Sequence, residues 1–345
     1  MRIIETPDFT NLPGDLTPLF AVSGARSIFE HPAWYDVVAR HGLPAGIRLS
    51  LITDDVGEAG LVVTGRGGRL ALCSTPYTCV SAPLYIRPPA VAPLLAELGR
   101  DSATLTLTGL DPEAPEFPAI LDGLGQARLA THCFRGWINW FETTLGCNFD
   151  QYMERRPPAL RNTLARKRKK LEKSANLRFS LNGDPADFVA QYEKVYRASW
   201  KTPEPFPDFM PALIHSMAAL GALRSGVPFC GDEPAAAQFW LVWAGRATIF
   251  KLAHDEKWAH LSPGSLLTAQ MARLVLEQDR PAEIDFGRGD DPYKKLWLAQ
   301  RRERWGIEAA SRRRLAGLPA ALRIGLQKLR AREPVLTGRH SLVVK

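Results

Sequence analysis

Residues 155–174, RRPPALRNTLARKRKKLEKS, cut this chain in two. A Pro-Pro pair opens a basic helix whose positives, at 161, 166, 167, 168, 169, 170 and 173, wrap most of its circumference. On each side of it the sequence sets out a strand-rich pattern with flanking helices, in similar proportions. A length of 345 residues is long for one small domain and comfortable for two. The restart after the basic helix therefore points to two structurally related α+β domains.

The first half supplies short apolar runs at 46–53, 58–65, 68–74 and 81–86, separated by the turn signals DDVG and RGG. A helix is expected from Pro32 to about 41, a second over 89–100 and a short third at 118–126. Strands are expected at 102–110 and 133–143. The second half begins with a strand at 177–182, then a helix over 184–200 with Asp184 as its cap, and another over 207–221. Two strands, AAAQFWLVWAG and RATIFKLAHDE, meet at Ala244-Gly245. A helix follows with Ser262 as cap and Pro263 in its first turn, and Leu267, Met271, Leu274 and Val275 form its apolar stripe. A strand at 283–286, a short helix at 292–298, a last strand from 301 and a basic terminal helix from 318 complete the pattern.

Composition narrows the class. The 46% apolar and 23% charged fractions are those of a globular protein. No run of 18 apolar residues occurs, and the N-terminal MRIIETPDFTNLPGDL has no signal-peptide core, so a cytoplasmic location is expected. Cys73, Cys79, Cys133, Cys147 and Cys230 are scattered without a C-x-x-C pair, which argues against zinc or a disulfide framework and predicts no metal. The charge of +8 sits in the second half: residues 155–173 hold nine Lys or Arg against one acid, and 301–345 hold twelve against three. An anionic partner should meet that half.

Two stretches carry chemistry. In Ser262-Pro263-Gly264-Ser265-Leu266 the helix start offers unpaired N–H groups at the positive end of a dipole, with a glycine for close approach, which suits a phosphate. In EIDFGRGDDPYKKLW (283–297) a strand ends in Arg288, Asp290, Asp291, Tyr293 and Lys294. Paired carboxylates raise one another's pKa, which suits a base. A phenol can serve as an acid. Each has a structural rival: Asp291 also fits a helix cap before Pro292, Arg288 a partner for Asp285 or Asp290, and Tyr293 with Trp297 a packed face.

The order of strands around the Ser-Pro-Gly helix resembles the acyl-CoA-binding core of the GNAT acyltransferases. At residue level, Pro234-Ala-Ala-Ala-Gln238, Lys251-Leu-Ala-His254-Asp255, Ser262-Pro-Gly264, Asp285-Phe286, Arg288-Gly-Asp290 and Tyr293-Lys294 resemble the acetyltransferase-like domain of FemAB-related and cellulose-biosynthesis-associated bacterial proteins. RNTLARKRKKLEK and ASWK (198–201) resemble the start of that domain, and HPAW (31–34) with TPYTCVSAPLY (75–85) its N-terminal companion. The match covers about 155–310. The usual Gln/Arg-x-x-Gly-x-Gly/Ala loop is here Leu261-Ser-Pro-Gly264-Ser-Leu266, keeping only the first glycine. Some relatives use aminoacyl-tRNA instead of acyl-CoA.

The resemblance implies two tandem GNAT-like domains, each a mixed, mostly antiparallel sheet flanked by helices. The expected boundaries are 1–150, a basic linker helix at 151–176, an acyltransferase-like domain at 177–315 and a basic helix and tail at 316–345. It implies acyl transfer to an amine of an amino sugar or amino acid in envelope or exopolysaccharide assembly. Acetyl-CoA or another acyl-CoA would be the co-substrate, held at Ser262, Pro263, Gly264, Ser265 and Leu266. Asp290, Asp291 and Tyr293 would be catalytic, and Gln238, Lys251, His254, Arg288 and Lys294 would bind substrate. The acceptor would be a small molecule, a nucleotide-sugar or a lipid-linked group. Two alternatives stand beside this reading: aminoacyl transfer from tRNA to a peptidoglycan precursor, and a non-catalytic scaffold binding a cyclic dinucleotide such as cyclic di-GMP. The basic regions could also meet an anionic membrane surface, peripheral to the inner membrane. Without interleaved aromatics, DNA is not an expected partner. Either a monomer or a dimer fits.

Overall fold

The structure, a computed structural model, describes residues 1–5, 7–174 and 177–330. The tail expected at 331–345 lies outside the described residues.

The first part of the chain forms β1 (Arg2–Glu5), α1 (Thr17–Arg26), α2 (Pro32–His41), β2 (Leu49–Thr53), β3 (Ala59–Arg66), β4 (Arg69–Leu72), β5 (Leu84–Tyr85), α3 (Val91–Asp101), β6 (Thr104–Leu110), α4 (Phe117–Gln126) and β7 (Ala130–Thr143). Next come α5 (Phe149–Glu154), α6 (Pro158–Ser174), β8 (Leu177–Leu181), α7 (Pro185–Arg197), α8 (Phe209–Ala219), β9 (Leu223–Cys230), β10 (Glu233–Pro234), β11 (Ala236–Trp243) and β12 (Arg246–His254). The chain closes with α9 (Pro263–Gln278), β13 (Glu283–Arg288), α10 (Lys294–Trp297), β14 (Gln300–Ala310) and α11 (Leu318–Arg330). This is the expected α+β class, with mixed sheet flanked by helices.

Two compact units result: residues 1–137 with 303–345, and residues 138–302. These boundaries differ from the expected 150 and 177–315. The reason is β14, whose residues Trp305–Ala310 pair antiparallel with Thr104–Leu110 of β6, so the last strand and the terminal helix belong to the first unit. In that unit β1, β2, β3 and β4 pair as an antiparallel meander, and β4 runs parallel to β6. Helices α3 and α4 cover a core of Leu61, Leu94, Leu95, Leu105, Leu107, Ile120 and Ile307.

The second unit is ordered β7–β13–β12–β11–β9, with β8 and β10 both on β9. Ala244 (φ 49°) and Gly245 (φ 72°) make the tight β11–β12 turn, a backbone geometry that matches the strand twist of a two-residue hairpin. The stripe Leu267, Met271 and Val275 of α9 packs on Trp240, Ala247 and Ile284, fixing the helix across the strands that frame the site. Leu160 and Leu164 of α6 join the same core, so one side of the basic helix is a packing face.

Candidate active site

The site begins where two strands part. β12 runs parallel to β13 over Arg246–Thr248 against Glu283–Asp285 only. Beyond that, β12 stays with β11, where Ala236–Phe239 pair with Lys251–His254. A bulge at Phe250 shifts the register between Phe239 and Trp240, turning the outer half of β12 away from β13. Backbone groups on that outer half are thus released from pairing with β13.

One wall of the gap is the β13–α10 turn, anchored from below. Asp285 is buried and accepts from Asn139 Nδ2 at 2.7 Å, from the Gly287 N–H at 2.6 Å and from Arg302 Nη2 at 2.7 Å. Arg302 also grips Glu283 through two nitrogens at 2.8 and 2.6 Å, and Glu283 takes Arg246 Nε at 2.7 Å. Asn139 closes the circuit by donating to the Gly287 carbonyl at 2.9 Å. Gly287 itself has φ 59° in a bulge of β13 against β7, where a side chain would be strained. Every charge in this buried network has a partner, as burial demands.

Lys294 is also buried. Its ammonium donates to the carbonyls of Phe286 (3.0 Å), Arg288 (2.6 Å) and Gly289 (3.2 Å), and lies 3.4 Å from Asp291 Oδ2. It knots the end of β13 into a fixed turn. Asp290 accepts from Trp140 Nε1 at 2.6 Å and faces Arg301 at 3.7 Å. Of the partners expected for Arg288, Asp285 also holds Arg302, and Asp290 holds Trp140 and faces Arg301. Arg288 is exposed. The expected helix at 292–298 is a single turn, 294–297, with Tyr293 at its cap position and no side-chain cap. Asp291 is thus no helix cap; only its backbone carbonyl takes the Lys294 N–H at 3.0 Å. Tyr293 stands half-exposed beside Phe286, and burial of its phenol, with the Asp291 charge next, pushes it up to about 12.

The second wall is the segment between α7 and α8. Glu204 accepts from Lys251 Nζ at 2.5 Å. Trp200 lies against the His254 ring, centroids 4.3 Å apart, and burial holds that imidazole below its ordinary pKa. Among these groups sits Lys201. Burial first, then the Lys251 ammonium, lower its pKa to about 8, while Glu204 and Asp291 work in the opposite direction. An amine so placed exchanges its proton near neutrality, as its exposed counterparts do not. No local pattern in the sequence marks Lys201 or Glu204 as functional. The ASWK motif placed Lys201 in the domain, but its desolvation comes from chain that meets only in the fold.

At the third side, α9 starts at Pro263 after Ser262 in the left-handed conformation (φ 56°), and the Ser262 side chain caps nothing. That corrects the expected side-chain cap: left-handed backbone turns the hydroxyl away from the first-turn N–H groups. Pro263 has no N–H, and the Leu266 N–H goes to the Ser262 carbonyl at 3.3 Å, which leaves Gly264 and Ser265 to meet an anion. Pro263, Gly264 and Leu266 are buried and Ser265 is half-buried. A Cβ on Gly264 would lie 3.5 Å from Leu252 Cδ1 and 3.8 Å from His254 Nδ1, which places the helix start beside the parted strand. Gln238 is buried: its Nε2 reaches Thr268 Oγ1 at 3.4 Å, and its Oε1 has no partner. Lys167 of α6 donates to the His260 carbonyl at 2.6 Å, bringing the basic helix to the same end of α9. Among the described residues no cluster of His, Cys, Asp or Glu is placed to hold a metal.

The expected residues Lys251, His254, Asp291 and Lys294 thus converge with Lys201, and Tyr293 adjoins Asp291 and Phe286. Asp290 and Gln238 have other partners, and Arg288 lies at the exposed end of β13.

Comparison with curated proteins found no match. The family model described as "Acetyltransferase (GNAT) domain" matches residues 158–295. Among solved structures the chain is similar to FemX, with 9% identity, a TM-score of 0.61 and coverage of 95% of this chain and 99% of that one. It is also similar to L-PGS from Bacillus licheniformis, at 12% identity and TM-score 0.56 over 93% and 98% of the two chains. A third is the C-terminal domain of a protein assigned as a lysylphosphatidylglycerol synthetase from Agrobacterium fabrum, at 12% identity and TM-score 0.58 over 91% and 96%. At these identities the likeness is one of fold, and the acetyltransferase match falls on the part of the chain that carries the Lys201 cluster.

Proposed function

We propose that the second unit is an N-acyltransferase. It passes an acyl group from acyl-CoA to the amine of an amino sugar or amino acid used in envelope or exopolysaccharide assembly. The observation that carries this reading is Lys201: an amine with a pKa of about 8, close to that of a thiol, at the mouth of two parting strands.

The acceptor arrives as an ammonium and gives one proton to the Asp291 carboxylate. Its nitrogen attacks the thioester carbon, a C–N bond forms, and the carbonyl electron pair moves onto oxygen. Backbone N–H groups on the outer half of β12 receive that oxyanion. Collapse restores the carbonyl and breaks the C–S bond. Lys201 hands its proton to the departing thiolate, and the surplus proton on the new amide nitrogen replaces it. Tyr293, at about 12, is a weaker match to a thiol than Lys201. Lys294 and the Asn139–Asp285–Arg302 network act as positioning residues that hold the turn carrying Asp291.

A second reading keeps the chemistry and changes the carrier to aminoacyl-tRNA, acting on a peptidoglycan precursor. The helix start favours it: with Pro263 and a left-handed Ser262, only the Gly264 and Ser265 N–H groups face a pyrophosphate, while α6 brings lysine to the same end. A lysylphosphatidylglycerol synthetase among the structural relatives also fits it. The deciding experiment measures thiol release from acetyl-CoA across a panel of amino sugars and amino acids, with charged tRNA run in parallel. Acceptor-dependent thiol release supports the first reading. Transfer from tRNA alone moves the function to the second, and transfer from neither overturns both.

A further inference from the structure

Helix α11, in the first unit, has two opposed apolar faces, and among the described residues only one is packed. Ile324, 1% exposed, packs with Ala320 and Ala321 against Ala130 and Ala310. Leu318, Leu322 and Leu326 recur every fourth residue on the opposite side, and they stand 41%, 67% and 45% exposed, with Leu315 just ahead at 84%. A helix that needed only its own domain would not carry leucines at that spacing on its solvent side.

Charge says what covers them. Residues 311–330 contain six Lys or Arg and no acid. Arg314 is bound to Asp101 at 3.0 Å and Arg323 to Glu308 at 2.8 Å. Arg312, Arg313 and Lys328 are exposed and carry no ion pair among the described residues. On a 3.6-residue helix, Arg323 and Lys328 fall on the two flanks of the leucine stripe. An apolar stripe bordered by cations on both sides is the profile of a helix lying in a bilayer interface, leucines among the acyl chains and cations at anionic headgroups. No helix among the described residues is long and apolar enough to cross a membrane, so the contact is with the surface.

We propose that α11 docks the protein on an anionic lipid surface, with Leu315, Leu318, Leu322 and Leu326 inserted and Arg312, Arg313 and Lys328 on the headgroups. This does not depend on the acyl-transfer reading, because none of these residues belongs to that site.

The test is co-sedimentation of the full chain with phosphatidylcholine vesicles containing or lacking phosphatidylglycerol. Binding is expected to the mixed vesicles and to weaken with added salt. The variant Leu322→Glu with Leu326→Glu should lose it. Arg312→Glu with Arg313→Glu should lower affinity about 5-fold or more for each cation removed. Circular dichroism and the unfolding midpoint of each variant serve as fold controls, since both pairs are exposed. Equal binding to vesicles without phosphatidylglycerol would overturn the proposal, as would wild-type binding by the leucine variant. Failure of the wild type to sediment, or a solution dimer that the leucine variant dissociates, would assign the face to the chain's own tail or to a second copy and overturn it equally.

Discussion

Asn139 and Asp285 are 146 residues apart in the chain and share a hydrogen bond of 2.7 Å beneath the candidate site. The same carboxylate holds Arg302 and the Gly287 N–H. Removing it takes the acceptor from the Gly287 N–H and leaves Asn139 Nδ2 with the Gly287 carbonyl and Arg302 Nη2 with Glu283. Asp285→Ala should therefore cost on the order of 3 kcal/mol, read from urea unfolding of the full chain. It should also cut acyl transfer, because the turn bearing Asp291 loses its footing. Little change in either would mean the network does not hold the site.

Gly287 makes a narrower test of the same turn. At φ 59° an alanine costs about 1–2 kcal/mol, and an asparagine less, since its side chain tolerates left-handed backbone. Gly287→Ala should lower the unfolding midpoint more than Gly287→Asn. The reverse order would place the constraint in side-chain volume instead of backbone.

The two carboxylates should separate. Asp290 is occupied by Trp140 and Arg301, whereas Asp291 lies among Lys201 and Lys294. Asp291→Asn is expected to lower kcat by about 10²-fold or more, and Asp290→Asn to leave it within about 3-fold. Steady-state kinetics of the pair, at matched fold stability, would expose an inverted assignment.

Lys201 should trade stability for activity. Its folded pKa lies below the ordinary 10.5, at about 8, so below pH 8 the charged form is held at a cost in the native state. As pH rises from about 8 towards 10.5 the unfolded chain holds the extra proton, and stability contributed by this group rises. Lys201→Met should stabilise the protein at pH 7, on the order of 1–3 kcal/mol, with the advantage fading above pH 8. Parallel urea titrations at pH 7 and pH 10 check the sign.

Much of the fold was legible in short-range pattern. Ala244-Gly245 marked the hairpin, Pro263 the start of α9, and the stripe of Leu267, Met271, Leu274 and Val275 its packed face. Five elements escaped: β1, a four-residue edge, α1, α5, whose Asn148–Gln151 capping box lies between stronger signals, and the strands β9 and β10. The return of β14 to the first unit was not legible, because strand pairing 200 residues apart leaves no local mark. The site was legible as residue types and not as roles. Lys294 resembles a ligand-binding lysine in sequence, yet its ammonium is spent on the carbonyls of Phe286, Arg288 and Gly289. Lys201 resembles a surface lysine, and only its burial in the fold, with the Lys251 ammonium next, makes it the titrating amine.

The most direct measurement is the pH dependence of kcat for acyl transfer to an amine acceptor, in wild-type protein and in Lys201→Met. The proposed role of Lys201 requires a limb near pH 8 in the wild type, and in the variant the loss of that limb with a fall in kcat of about 10²-fold or more. An unchanged profile and rate in a folded Lys201→Met would contradict it.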